Sequence, residues 1–442
     1  MTFRPGARGL AVIAVCSLAL TACSAGSLGS SDDAGGGSSV EITYLTTNQD
    51  QDVKEAEQLA KDFHAKNPTI TVKVETRPGG TEGDNIIKTR LSTGDMVDVF
   101  NYNTGSLFNA IAPQKNLLSM NDEPWVADLD DNFKKTVTAD DQVYGAPVGG
   151  FMGGAVLYSI PVYTKLGLQV PTTWAEFMAN NAKIKAAGGV APVIQTYGET
   201  WTSQLFVLGD FHNVAAAEPD FADKYTKNEA KYATSPAALK GFEHTEAVHD
   251  AGYENKDFAS AKLPDGLKML ATGKGAHYPI LSGVVANMIA TYPDAAKTVG
   301  LFALPGDDAS KNGLTLWTPG GLYIPKTTEG DKLDAAKKFM AFVASPDGCK
   351  SQSEAGAPTG PYAVKGCTLP DDVPQAIKDM QPYLDKPGAS SLALEFLSPV
   401  KGPSLEQITV EVGSGIRKAK DGAARYDEDV KKQAQQLGLA GW

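Results

Sequence analysis

The sequence predicts an α/β protein built as two lobes, and three observations carry the reading. Val40-Glu-Ile-Thr-Tyr-Leu, a helix-periodic stretch from Val53 to Lys66, and Ile70-Thr-Val-Lys-Val-Glu follow one another as strand, helix and strand. That spacing builds parallel sheet. Strand-like and helix-like segments go on alternating along the chain. The body from Val40 to Trp442 holds about 400 residues, more than the roughly 250–300 at which one hydrophobic core stops growing.

Each element follows from its pattern. The first strand alternates apolar and polar residues. Asp50 or Asp52 can cap the helix after it, in which Val53, Ala56, Leu59, Ala60 and Phe63 share one face. Asn67-Pro68 stops that helix. A helix over 86–91 and a short buried strand over 97–100 come next. The pattern continues with strands at 143–147 and 155–159, a helix over 173–187 and a strand at 192–196. Residues 210–273 read as mainly helical. Strands return at 299–303 and 321–324, and the last strong helices cover 332–343 and 427–437. No internal repeat is present.

The first 22 residues read as a secretory leader. Arg4 and Arg8 precede an apolar run of eleven residues, Leu10 to Leu20, which is shorter than the roughly 20 needed to span a bilayer. The run ends in Leu20-Thr-Ala-Cys23. This resembles the bacterial lipobox, which implies cleavage before Cys23 and attachment of lipid to its thiol. Residues 23–39 are Gly- and Ser-rich and read as a flexible linker. No later segment has the length and apolarity of a spanning helix, so the expected place is outside the cytoplasm, lipid-anchored to a bacterial cell membrane.

The formal charge is −12, and the leader carries two arginines and no acid, so its loss leaves −14. A body this acidic is a poor partner for nucleic acid or an anionic lipid face. Of the four cysteines, Cys16 leaves with the leader and Cys23 takes lipid. Cys349 and Cys367 remain, and an even pair in an oxidising compartment reads as a disulfide. A metal site is the weaker reading, because no histidine lies near either cysteine.

Several stretches carry a family resemblance. They are Phe63-His-Ala-Lys-Asn-Pro-Thr-Ile-Thr-Val, Leu91-Ser-Thr-Gly-Asp-Met-Val-Asp-Val-Phe and Tyr144-Gly-Ala-Pro-Val. Further on come Leu157-Tyr-Ser-Ile-Pro-Val-Tyr-Thr-Lys-Leu-Gly-Leu, with Pro171-Thr-Thr-Trp-Ala-Glu, and Gly320-Gly-Leu-Tyr-Ile-Pro-Lys. In this order they resemble the extracytoplasmic solute-binding proteins of carbohydrate ABC importers, the maltose-binding-protein-like family. The resemblance implies a periplasmic-binding-protein-like fold with a ligand cleft between the lobes. It places 40–146 and 299–344 in lobe 1, and 147–298 and 345–442 in lobe 2. It implies a monomer that captures a mono- or oligosaccharide and delivers it to ABC permease subunits in the membrane, with no cofactor and no chemistry. One departure stands out: Val284 occupies the place of the family's sugar-stacking aromatic, which leaves Tyr278 as a substitute.

Sugar pockets combine short polar side chains with aromatic platforms. On that basis Trp201 and Trp317 are expected platforms. Asn48, Gln49 and Asp50, at the end of the first strand, lie where α/β clefts place ligand groups. Asn103, Phe151 and Glu354 complete the expected ligand-binding set. No catalytic or metal-ligating motif is found: His244 and His249 are five apart, so H-E-x-x-H is absent. The alternatives are a secreted carbohydrate-active enzyme, which needs only two opposed carboxylates, and the same fold binding a non-sugar solute.

Overall fold

The computed structural model describes residues 39–442. The leader, Cys23 and nearly all of the linker lie outside them. Strand β1 (Val40–Thr47), helix α1 (Asp50–Lys66) and strand β2 (Ile70–Arg77) form the expected opening unit, with β1 parallel to β2 and Val40 opposite Ile70. Helix α2 (Gly80–Thr93) leads to β3 (Val99–Tyr102), parallel to the other edge of β1. The strands Gly320–Tyr323 and Ala146–Val148 complete this five-stranded sheet, each antiparallel to its neighbour.

The apolar face of α1 is the one that is buried, through Ala56, Leu59, Ala60 and Phe63. Phe63 meets Phe339 edge-on at 5.2 Å and Phe342 at 5.7 Å, both on helix Gly330–Val343. The helix starts differently from expectation. Its N-cap is Gln49, with no side-chain cap. Asp50 and Asp52 sit in the first turn, where carboxylates suit the helix dipole.

A second sheet is centred on Met152–Ser159. One edge of that strand pairs antiparallel with Gly275–Leu281, and Ala191–Val193 lies beyond. The other edge pairs with Val299–Ala303 and then Leu314–Trp317, with Ser390–Leu392 outermost. Helix Trp174–Ala187 opens with a capping box between Thr173 and Glu176. A helical outer layer packs around Phe242, Tyr232 and Tyr426.

The lobe boundaries differ from those expected. Val299–Ala303 pairs into the second sheet, so the chain re-enters the first at Gly320 rather than near 299. Helix Pro346–Ala355, expected in the second lobe, packs on α1. The segment after it also stays with the first lobe: the Lys365 N–H donates to Asp128 O at 2.7 Å and the Asp130 N–H to Ala363 O at 2.9 Å. Strand pairing decides lobe membership, and chain order alone does not show it. Cys349 and Cys367 are bridged, with Cα atoms 6.0 Å apart.

The lobes join where Gly149–Phe151 and Thr318–Pro319 cross between the sheets. The loop 356–361 runs against the first crossing. The Phe151 N–H donates to Pro361 O at 2.8 Å, and Gly150 bridges Tyr362. A Cβ at Gly150 would lie 2.2 Å from Gly360 O, and one at Gly360 would lie 2.0 Å from Phe151 O. Only glycine permits this approach. Gly360→Ala should therefore cost about 1–3 kcal/mol, as forced overpacking does, and lower the melting temperature by several degrees. Calorimetry checks it, and a variant that melts with wild type would show that the contact is not needed.

Candidate functional site

The carboxyl ends of β1, β2 and β3 open into a cleft of ≈ 650 Å³ between the two sheets. That is where parallel sheets present ligand groups. The first lobe supplies charge. Arg77 ends β2, is 5 % exposed and donates to the carbonyls of Pro78 (3.0 Å) and Asn101 (3.3 Å). Its guanidinium lies 5.8 Å from the centre of the Tyr102 ring. Asp52 and Glu55, one turn apart on α1, and Asp84 on α2 line the same end. Asp52 accepts a hydrogen bond from the Thr47 hydroxyl.

Three polar atoms at this end are sealed from solvent without a protein partner: Glu55 Oε1, Arg77 Nε and the Tyr102 hydroxyl. Such atoms cost on the order of 1–3 kcal/mol each when left unpaired. Burial, and secondarily the neighbouring Asp52, push the Glu55 carboxyl up to about 8. The end therefore offers an acid that can hold its proton, a guanidinium N–H and a phenol, all suited to hydroxyl groups.

The second lobe supplies the facing wall. Trp201 lines it and is half-buried. Its indole N–H donates to Glu199 Oε1 at 2.9 Å, and Glu199 Oε2 accepts from the Leu263 N–H at 3.1 Å, which fixes the ring. Met152, Leu281 and Val284 extend the apolar surface, so Val284 does line the cleft where an aromatic was expected. Gln352 and Tyr362, from the hinge side, close the floor; the Gly149 N–H donates to Gln352 Oε1 at 2.7 Å.

Of the expected ligand residues, the structure brings Trp201, Gln49 and Asn103 to the cleft. Others lie elsewhere. Tyr278 is fully buried, its hydroxyl 2.6 Å from Thr196 Oγ1, because its strand is the covered neighbour of Met152–Ser159. Phe151 is fully buried under the hinge loop. Asn48 and Asp50 are exposed outside the cleft lining. Glu354 is half-exposed and pairs with Lys350 at 3.7 Å. Trp317 is 7 % exposed, its N–H bound to Glu395 and its ring pressed against Gly154. It borders a side chamber of ≈ 400 Å³ that shares Asn103, Met152 and Pro319 with the cleft.

Sequence reasoning missed Arg77, Glu55, Asp84 and Tyr102. A signal for two of them existed: Arg77 and Tyr102 are the last residues of parallel strands, the same position that singled out Asn48 to Asp50.

Residues 47–349 match the model of the family described as bacterial extracellular solute-binding protein. The chain is 26 % identical over 367 residues to the multiple sugar-binding protein of Streptococcus mutans serotype c, covering 81 % of this chain and 82 % of that one. It is 23 % identical over 363 residues to the melibiose/raffinose/stachyose-binding protein MelE of Bacillus subtilis, covering 78 % and 80 % respectively. The solved structure of the binding protein RafE in complex with raffinose superposes with a TM-score of 0.70 at 19 % identity, over 90 % of this chain and 100 % of that one.

The raised Glu55 carboxyl sets a pH dependence for the unliganded protein. The ordinary value is 4.5 and the folded value about 8, so between them the folded state binds the proton that the unfolded state has lost. Stability is then full below about 4.5 and declines as pH rises toward 8. Asp210, also pushed up to about 8 by burial, adds a separate share. Glu55→Gln should flatten part of the decline in thermal midpoint between these pH values. A slope identical to wild type would show that Glu55 is ionised throughout.

Proposed function

Because this chain belongs to the bacterial extracellular solute-binding proteins, we propose that it is the sugar-capturing subunit of an ABC importer. It takes a mono- or oligosaccharide into the cleft and delivers it to permease subunits in the membrane. The observation that carries the reading is the pairing of two unlike walls. Unpartnered hydrogen-bonding atoms on the first lobe face a fixed indole on the second. A sugar ring presents hydroxyls at its edge and an apolar face, and so satisfies both. A ligand that touches both lobes binds the closed arrangement more tightly and thereby favours it. The names of the two relatives above, which concern sugar binding, support the same class.

The protein acts without chemistry on its ligand. The carboxylates lining the cleft, Asp52, Glu55 and Asp84, all come from the first lobe. The body works as a monomer outside the cytoplasm, held to the membrane by lipid on Cys23. Among the described residues no helix is long and apolar enough to cross a membrane; the support for the lipid is the Leu20-Thr-Ala-Cys23 sequence.

One observation favours a second reading, a cationic solute such as an amino sugar or polyamine: three carboxylates share the cleft with a single guanidinium. Calorimetry across neutral sugars, amino sugars and spermidine separates the two. Neutral-sugar binding with no spermidine heat is expected, and the reverse overturns the sugar reading. Trp201→Ala should weaken the bound sugar about thirtyfold, or about 2 kcal/mol, with the unliganded melting point nearly unchanged. Wild-type affinity in that variant would remove Trp201 from the site. Cys23→Ala should move the protein from the membrane to the soluble fraction with ligand affinity intact; unchanged partitioning would refute the lipid anchor.

A further inference from the structure

The second lobe has a separate pocket of ≈ 290 Å³, sharing no lining residue with the cleft. It lies between helix Phe211–Ala217, helix Pro236–Asp250 and the turn Gly306–Asp308. Two buried groups line it without full partners. Asp210 is 1 % exposed; its Oδ1 accepts from Asn213 Nδ2 at 2.7 Å, but Oδ2 has no partner. His244 is 3 % exposed, and neither ring nitrogen has a partner. Its ring is held flat against Trp174, with centroids 3.6 Å apart and planes 13° from parallel. Buried polar atoms are almost always satisfied by something, and two such side chains in one cavity call for an occupant.

We propose that this pocket is a second binding site, for one small polyhydroxyl molecule, a single sugar ring or a polyol, independent of the interlobe cleft. The chemistry selects that class. Among the described residues no group of three or more His, Cys, Asp or Glu side chains could hold a metal ion. Charge at the rim is balanced, Lys240 pairing with Asp307 at 3.4 Å. Burial keeps His244 neutral, lowered to about 3, and raises Asp210 to about 8. At neutral pH the polar side chains therefore offer an acid O–H, an imidazole N–H and an imidazole lone pair. Hydroxyl groups, which both donate and accept, match that set. Ala237 and Pro236 give an apolar wall for the carbon face. The volume lies just under the roughly 300–1,000 Å³ of ordinary ligand pockets, which suits one ring and not a chain.

The test is NMR of the full chain with ¹⁵N-labelled tryptophan. The Trp174 indole reports on this pocket and the Trp201 indole on the cleft. D-Galactose, myo-inositol and glycerol are titrated separately. At least one is expected to shift the Trp174 signal to saturation, with a midpoint in the millimolar range or tighter. Ala237→Phe, which places a ring in the pocket, should abolish that shift. Lys240→Ala, at a partly exposed position, should weaken it severalfold and serves if the first variant misfolds. The proposal fails if none of the three moves Trp174 saturably, since ordered water then suffices. It fails equally if the shift survives Ala237→Phe, or if Trp174 responds only with the same midpoint as Trp201.

Discussion

The backbone contact between Gly150 and Gly360 is the constraint on which the rest of the molecule depends. Two strands of chain pass at a distance that excludes any side chain, and one of them is a link between the sheets. Phe151 is buried by this approach, Tyr362 is set in register by it, and Ser282 Oγ reaches the Thr359 carbonyl at 2.9 Å from the other lobe. The hinge loop thus touches both lobes and the cleft floor at once. Closure of the lobes, as proposed, would have to be taken up by the few residues of the crossings.

Polar groups in this protein fall into two kinds by environment. Most buried ones are answered within the fold: His277, for instance, lies between the Tyr163 hydroxyl at 2.7 Å and Asn181 Oδ1 at 2.8 Å. Some of those that are not answered lie at the cleft and at the second pocket. At the cleft, Glu55, Arg77 and Tyr102 keep unspent hydrogen-bonding capacity in a place from which water is largely excluded, so a partner supplied from outside gains more there than on an open surface. Folding stability is given up locally, and under the proposed function a bound sugar recovers it.

The fold was more legible than the site, for a physical reason. Alternation in Val40–Thr47 and the apolar stripe of α1 report burial directly, because one face of each must leave water. Capping reads less well: Asp50 and Asp52, the expected caps of α1, sit in its first turn behind Gln49. Site residues carry no such signature. Asp52 and Glu55 look like the solvated side of an amphipathic helix, and only the crossing of the chain over it turns that side into a cleft wall. The reverse error befell Tyr278, expected as a substitute for the family's aromatic, and Phe151, expected from its place after the crossing; the sheet and the loop 356–361 cover both completely. Lobe boundaries were misplaced because the antiparallel return of Val299–Ala303 to the second sheet depends on pairing between distant segments.

The disulfide Cys349–Cys367 has a consequence beyond holding two segments together. The ring it closes contains the whole hinge loop, including Gly356 to Thr359 on the cleft floor and Gly360 at the crossing. Its Cys349 end lies on a helix packed against α1, the element that presents Asp52 and Glu55. The cleft floor is therefore a covalent girdle anchored to the charged wall. In a reducing medium the same loop would lose its cross-link to the helix on α1 and be held only by its contacts at the crossing and with Ser282.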